Sequence, residues 1–527
     1  MSAFIVACTG KKSVDLSGYS EAEDNGRLVN EGFRRCVDYV DAWMQYADPA
    51  SGLIPRNIRE SSDYWNAWDA AADNYPFMVL TASILMPDFF KTTALSMLRA
   101  EKRLTSRIGN LPDTYSFTKK GFRDEITDTS LVIFGAAEYM KDGLIPLTEW
   151  LGKSPWSDRM IEILDDLPLV TRMVTEEANP TLSPTQVVEI NGDLLQVLSR
   201  MYWFTGNREY LERAGSIADY YLNDEILPAV SLQSLRIRDH GCEIISGLCE
   251  AYYAAYNYWP EKYEQWKPYI HMMLDSILEA GRNEDGLFYN EINPVTGIVL
   301  SKGLADNFGY TFNDYYLVAE IDNKPEYFQA IKKALGSLNE GYRNYDWENG
   351  SCDGYADAIE GTLNLYNRIP DPSVKEWLDS EIQVMWKFQQ PDGMIEGWHG
   401  DGNFARTTIM YCLWKCQGLL PDRWDDDLFL GATLNDGELR VAISSASGWR
   451  GRIKADTPRY RDKMHLPVDY PRINQFQQWF TVDQDKEYEI TYTDTGIKKT
   501  VTGKYFSDGI MVRVKPDRTL HLSIRAK

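Results

Sequence analysis

Apolar residues recur at three and four positions through most of this chain, and the recurrence turns to alternation near its C-terminal end. Segments such as Leu194-Leu195-Val197-Leu198-Met201-Tyr202 and Ile244-Ile245-Leu248-Ala251-Tyr252 carry one apolar face at helical spacing, and a helical reading fits from about Gly26 to Gly418. A short phrase occurs four times, as Asp48-Pro-Ala-Ser-Gly-Leu-Ile, Asp142-Gly-Leu-Ile, Asp285-Gly-Leu-Phe and Asp392-Gly-Met-Ile. Each copy reads as the loop between two amphipathic runs, so the chain is built of repeated helical hairpins. The pattern predicts a mainly α fold, an (α/α)6-type toroid of six or seven helical hairpins.

After Pro421 the period changes. Glu438-Leu-Arg-Val-Ala-Ile-Ser, Gln475-Phe-Gln-Gln-Trp-Phe-Thr-Val, Glu487-Tyr-Glu-Ile-Thr-Tyr, Ile510-Met-Val-Arg-Val and Leu520-His-Leu-Ser-Ile are rich in β-branched and aromatic residues. Turn signals such as Asn435-Asp-Gly, Asp494-Thr-Gly and Ser507-Asp-Gly separate them, which predicts a C-terminal antiparallel β-sandwich. The expected domains are a leader or linker over 1–25, a catalytic toroid over 26–420 and the sandwich over 421–527.

The helices open on charged and amide residues: Asp73-Asn74, Asp128, Glu189-Ile-Asn-Gly-Asp193, Asp239-His240-Gly-Cys-Glu243, Asp306-Asn307, Asp353-Gly-Tyr-Ala-Asp357 and Asn403-Phe-Ala-Arg406. Asp and Asn are ordinary helix caps, and each opening taken singly reads that way. Seven in register, in a closed double ring, would gather at one end of the barrel.

Composition narrows the partners. With 55 basic and 78 acidic residues the net charge is -23, which opposes attraction to nucleic acid. No run reaches the ~18 consecutive apolar residues of a membrane-spanning helix. Phe4-Ile-Val-Ala-Cys8-Thr-Gly resembles the end of a lipoprotein signal with too few residues before Cys8, so a shortened leader and a lipid anchor at Cys8 are expected. Of seven cysteines, the six from Cys36 onward lie at no zinc-finger spacing and read as buried free thiols. No metal and no cofactor is expected.

Several segments carry chemistry. Glu189 with Asp193, and Asp353 with Asp357, are carboxylates four residues apart; Asp239 and Glu243 are a third pair at that spacing, and Glu360 extends the second. Glycoside hydrolysis needs one protonated and one ionised carboxyl, so the six members of the three pairs are the catalytic candidates. Arg236, Arg238 and His240 surround the third pair, where the arginines could fork onto a substrate carboxylate. Trp398, His399, Asn403 and Arg406 stand in a glycine-rich loop suited to a ligand. Asn307, Tyr310 and Asn313 share a helical face and could bind sugar hydroxyls; in a lyase, Tyr310 would abstract a proton.

The chain resembles the α/α-toroid carbohydrate enzymes, and within them most the β-glucuronidases of glycoside hydrolase family 154. The resemblance rests on Arg238-Asp-His-Gly-Cys-Glu-Ile-Ile-Ser-Gly-Leu, Asp357-Ala-Ile-Glu-Gly-Thr-Leu-Asn-Leu-Tyr-Asn-Arg368 and Trp398-His-Gly-Asp-Gly-Asn-Phe-Ala-Arg-Thr407. It implies release of terminal glucuronic acid from uronate-containing glycans, in the periplasm or as an outer-membrane-anchored lipoprotein of a Gram-negative bacterium of the Bacteroidota. Unsaturated glucuronyl hydrolases and polysaccharide lyases share the architecture and remain alternatives, as does a non-catalytic glycan-binding protein.

Overall fold

The computed structural model describes residues 16–167, 184–224 and 234–527, with backbone only at 17, 184, 185, 239 and 240. Cys8 lies outside the described residues. The chain divides into two compact units: Phe33–Tyr411 with Pro458–Gln477, and residues 16–32, Cys412–Thr457 and Gln478–Lys527.

The first unit is a double ring of helices. Its inner helices are α2 (Tyr75–Leu85), α4 (Thr129–Glu138) running on into α5 (Ile145–Leu151), α7 (Pro184–Thr205), α9 (Glu243–Tyr258), α11 (Phe308–Asp322), α13 (Cys352–Tyr366) and α15 (Asn403–Lys415). Outer helices alternate with them: α1 (Ser20–Met44), α3 (Leu95–Thr105), α6 (Pro155–Asp166), α8 (Arg208–Tyr221), α10 (Pro260–Ala280), α12 (Pro325–Gly341) and α14 (Pro372–Met385). This is an α/α toroid of seven pairs among the described residues. The outer helices carry one apolar stripe, whereas α9 is buried on every side from Glu243 to Ala255, as an inner-ring helix must be. The ring closes where Gly402, just before α15, meets the carbonyl of Asp73 so tightly that a Cβ would stand 2.2 Å from it.

Glycines set the spacing of the inner ring. A Cβ on Gly361 of α13 would lie 2.7 Å from the Cα of Gly309 in α11, and one on Gly247 of α9 would lie 2.5 Å from the carbonyl of Gly192 in α7. Only a bare backbone fits there.

Three copies of the repeated phrase are turns, with Gly52, Gly286 and Gly393 at φ of 75°, 96° and 89°. The Asp142 copy is not a loop. It lies in the π-helical stretch Tyr139–Leu144 that joins α4 to α5, buried throughout. Its Gly143 serves close approach instead: a Cβ there would stand 2.8 Å from the carbonyl of Ala71, in the π-helical stretch Ala67–Asn74 that leads into α2. Stretches of π-helix inside α-helices are frequent at functional sites.

The second unit holds two antiparallel sheets. Strands β1 (Leu420–Pro421), β2 (Leu428–Asn435), β3 (Glu438–Ser445), β4 (Trp449–Lys454), β5 (Glu487–Tyr492), β6 (Ile497–Thr502), β7 (Ile510–Val514) and β8 (Arg518–Ala526) are ordered β2-β3-β8-β5-β6 and β7-β4-β1. β7 lies against β3 and β8 of the larger sheet, making a two-layered β unit. Asp436 and Gly437, at φ of 49° and 72°, make the two-residue turn between β2 and β3, which suits the strands' twist.

The alternating stretch from Gln475 to Val482 forms no strand. Polar side chains in it and just before it spend their hydrogen bonds on helices rather than on a ladder: Gln477 Nε2 donates to Asn364 Oδ1 at 2.7 Å, and Asn474 bonds three charged groups described below. Residues 458–477 therefore belong to the helical unit, beyond the point where the apolar period changes.

Candidate active site

One cavity of about 830 Å³ opens within the helical unit. Eleven carboxylates line it against three basic side chains, Lys141, Arg406 and His399. Such crowding cannot be fully ionised without a large electrostatic penalty, so protons must be held inside.

Lys141 anchors the first group. Its Nζ pairs with Asp142 at 2.8 Å and with Glu243, and all three side chains are buried. Burial opposes the charge on Lys141, but Asp142 and Glu243 outweigh it and raise its pKa well above the ordinary lysine value. Glu138, one turn earlier on α4, is held well above the usual carboxylate range by burial and then by Asp193 and Glu189. Burial and then Glu243 push Asp193 up as well. Both shifts favour the protonated form of a carboxyl in this corner.

Arg406 anchors the second group. Its guanidinium reaches Asp357 Oδ1 at 2.6 Å and Glu360 Oε2 at 2.8 Å, and Tyr310 Oη lies 2.8 Å from Asp357 and 2.9 Å from Glu360. Asn403 Nδ2 donates to Asp353 Oδ1 at 2.7 Å. Burial, with Asp401 and Glu348, raises Asp353 to about 6. Burial and the neighbouring Asp353 raise Asp357 to about 6 against the pull of Arg406. Tyr310 is pushed well above 10, chiefly by burial.

Asn474 joins the two groups. Its Nδ2 donates to Asp142 Oδ1 at 3.0 Å, its backbone N–H donates to Glu360 Oε1 at 2.6 Å, and its Oδ1 accepts from Arg406 Nη1 at 3.1 Å.

His399 stands between Asp69 and Asp73. Burial works against its charge, and Asp73 and then Asp69 hold it up to about 9. Trp398, 77% exposed, stands at the rim with the Arg56 guanidinium 5.5 Å from its ring centre.

The residues singled out in the sequence fall into three sets. Glu189, Glu243, Asp353, Asp357, Asn307, Tyr310, Trp398, His399, Asn403 and Arg406 line the cavity. Asp193 is wholly buried and is not among the lining residues, and Asn313 is also buried off the lining. Arg236 and Arg238, in and just after the two-residue strand Leu235–Arg236, are half-buried and do not line the cavity. The side chains of Asp239 and His240 lie outside the described residues. Asp128 is an exposed cap whose carboxylate accepts from the N–H groups of Ser130 and Leu131, so its opening contributes only a helix start.

Sequence reasoning passed over Glu138, Lys141 and Asp142, because Asp142-Gly reads as a turn. It also passed over Trp68 and Asp69. The signal was present in both places, since Glu138 with Asp142 and Asp69 with Asp73 repeat the four-residue carboxylate spacing of Asp353 with Asp357. Ile473 and Asn474 carry no such signal.

No protein-family model matches the chain. A search of curated proteins likewise returns no match. Among solved structures, the α-1,6-mannanase of Salegentibacter sp. HEL1_6 aligns over 72% of this chain and 98% of its own at 9% identity and a TM-score of 0.42. Cellobiose 2-epimerase from Bacillus thermoamylovorans aligns over 73% and 99% at 13% identity and 0.39. A GH76 α-mannanase of Bacteroides thetaiotaomicron aligns over 54% and 84% at 16% identity and 0.36.

Proposed function

We propose that the chain is a glycoside hydrolase whose proton chemistry is carried by Asp353 and Asp357. The observation behind this reading is that pair: two half-buried carboxyls four residues apart on α13, both held near 6 inside a polar cavity. A pair that titrates near neutrality supplies one protonated and one ionised member. Asp357, bonded to Arg406, is the ionised member, which activates water or attacks the anomeric carbon. Asp353, facing Asp401 and Glu348, keeps its proton for the glycosidic oxygen. Trp398 and Trp68 offer stacking planes for sugar rings, and Asn307 and Asn403 offer amides for hydroxyls.

The substrate in this reading carries a terminal glucuronic acid, on the strength of the resemblance in the segments around Arg238, Asp357 and Trp398 and of the two buried cations Lys141 and Arg406. The setting proposed with it is the envelope of a Gram-negative bacterium, anchored by lipid at Cys8; among the described residues no helix is long and apolar enough to cross a membrane. A second reading is favoured by the excess of carboxylates over cations, which suits a neutral sugar in the same site. Tyr310 supports hydrolysis over elimination, because a phenol held well above 10 between two carboxylates is a poor base.

The deciding experiment is product analysis by mass spectrometry on matched aryl β-glucuronides, aryl β-glucosides and uronic-acid oligosaccharides. Saturated glucuronic acid from the first and third supports the full reading. Turnover of the neutral glycosides alone shifts the substrate, an unsaturated uronate shifts the reaction to elimination, and saturable binding without turnover makes the chain a glycan-binding protein.

A further inference from the structure

Beyond the two carboxylate groups used above, the cavity wall holds a third set. Asp69 and Asp73 lie one turn apart in the π-helical stretch Ala67–Asn74, and His399 comes from the loop before α15. One ligand atom from each lies within 4.8 Å of the others. The geometry points to a divalent-cation site formed by Asp69, Asp73 and His399.

The spacing carries the inference. His399 Nε2 stands 3.8 Å from Asp69 Oδ1 and 3.6 Å from Asp73 Oδ2. A charged imidazole bonded directly to a carboxylate closes to about 2.7–2.9 Å, so the ring bonds neither oxygen. Two donor atoms each about 2.1 Å from one ion, and about 120° apart at it, stand about 3.6 Å from each other.

The donors are also held from behind. His399 Nδ1 lies 3.0 Å from the carbonyl of Gly400, so a cation that displaces the Nε2 proton held by the two aspartates would leave Nδ1–H donating to that carbonyl and the Nε2 lone pair facing both carboxylates. Asp69 turns its other oxygen to Arg56 Nε and Asn66 Nδ2, each at 2.5 Å, which leaves Oδ1 toward His399. Outer bonds of this kind orient metal ligands and fix the imidazole tautomer.

A separate observation lies beside the set. Asp401 is 4% exposed, one of its carboxylate oxygens takes no hydrogen bond, and His399 is the charge that acts on it most strongly. Asp401 supplies no ligand atom to the set, and its unspent oxygen is an acceptor suited to a water held by the cation. One imidazole with two carboxylates suits zinc or manganese, and a three-residue set leaves positions for water or sugar hydroxyls on the cavity side. The inference stands whether or not the site hydrolyses glycosides, because its readout is binding.

The test uses the full chain, dialysed against chelator and titrated calorimetrically with zinc chloride and, separately, manganese chloride. The expected result is one equivalent bound, weakened at least about tenfold in His399→Asn and in Asp73→Asn. Circular dichroism checks that both variants fold. For wild-type protein loaded with manganese, pulsed electron paramagnetic resonance should show one coupled imidazole nitrogen, a readout that needs no variant. No saturable binding of either ion, unchanged affinity in both folded variants, or bound manganese without nitrogen coupling would overturn the proposal.

Discussion

Asn474 donates its side-chain amide to Asp142 at 3.0 Å and thereby ties the lysine-centred half of the cavity to the arginine-centred half. The same residue reaches Glu360 and Arg406, so one short side chain sets the distance between the two carboxylate groups. Replacing it with Ala should leave substrate affinity nearly unchanged and lower kcat by about 10- to 100-fold, because misplacement of catalytic groups by an ångström is that damaging. Two buried polar partners lose a bond, so urea unfolding should show a loss of about 1–3 kcal/mol. Wild-type kcat in a folded Asn474→Ala protein would remove the residue from the site.

The inner ring should resist even one added methyl group. Gly361→Ala places a Cβ 2.7 Å from the Gly309 Cα, where backbone rather than a movable side chain must yield. A destabilisation of about 1–3 kcal/mol or more is expected in denaturant unfolding. Gly336 of α12 is the control: a Cβ there meets nothing within 4 Å, so Gly336→Ala should stabilise by about 0.4–1 kcal/mol.

The toroid was legible because its signal is one of period, which both amphipathic outer helices and buried inner ones display in the chain. The sandwich was legible from alternation and from Asn435-Asp-Gly. Position in space was harder to read. Asp142-Gly has the composition of a turn, and only the nearness of Ala71 shows that Gly143 serves packing instead. Asn474 stands just before the strand-like run that opens at Gln475, and nothing in its neighbours along the chain points to its partners. Arg236 and Arg238 look ready for a uronate beside Glu243, yet they come from the two-residue strand Leu235–Arg236 and the turn after it, off the cavity lining. Asp69 and Asp73 are separated from His399 by most of the chain that forms the ring and meet it only where the ring closes, which no local spacing reveals.

Tyr310 separates hydrolysis from elimination. If it only positions Asp357 and Glu360, Tyr310→Phe should keep measurable turnover, reduced by about 10-fold, with saturated sugar as product. If it were the base of an elimination, the same change would abolish activity and the wild-type product would carry the ultraviolet absorbance of an unsaturated uronate.

Glu138 is 2% exposed, and burial together with Asp193 and Glu189 favours its protonated, uncharged form. Glu138→Gln should therefore keep Tm within a few degrees of wild type. Should Glu138 pass its proton toward the reacting oxygen, turnover would fall by about 100-fold or more; unchanged turnover would limit it to holding a proton in the wall.

The Asp353/Asp357 pair should make stability fall as pH rises. Both carboxyls move from 3.8 to about 6 on folding, so between those values the folded chain binds protons that the unfolded chain has lost. Their contribution is complete below about pH 4 and is lost as pH climbs through about 6, the reverse of an ordinary paired carboxylate. The double variant Asp353→Asn with Asp357→Asn cannot titrate there. Relative to wild type it should gain about 2–5 kcal/mol between pH 4 and pH 7, at the upper end only if the two shifts add fully. Urea unfolding of both proteins at the two pH values measures this directly, and an equal difference at both would show that the pair is not held protonated. The same variant should be inactive, because charges kept against stability are those the chemistry uses.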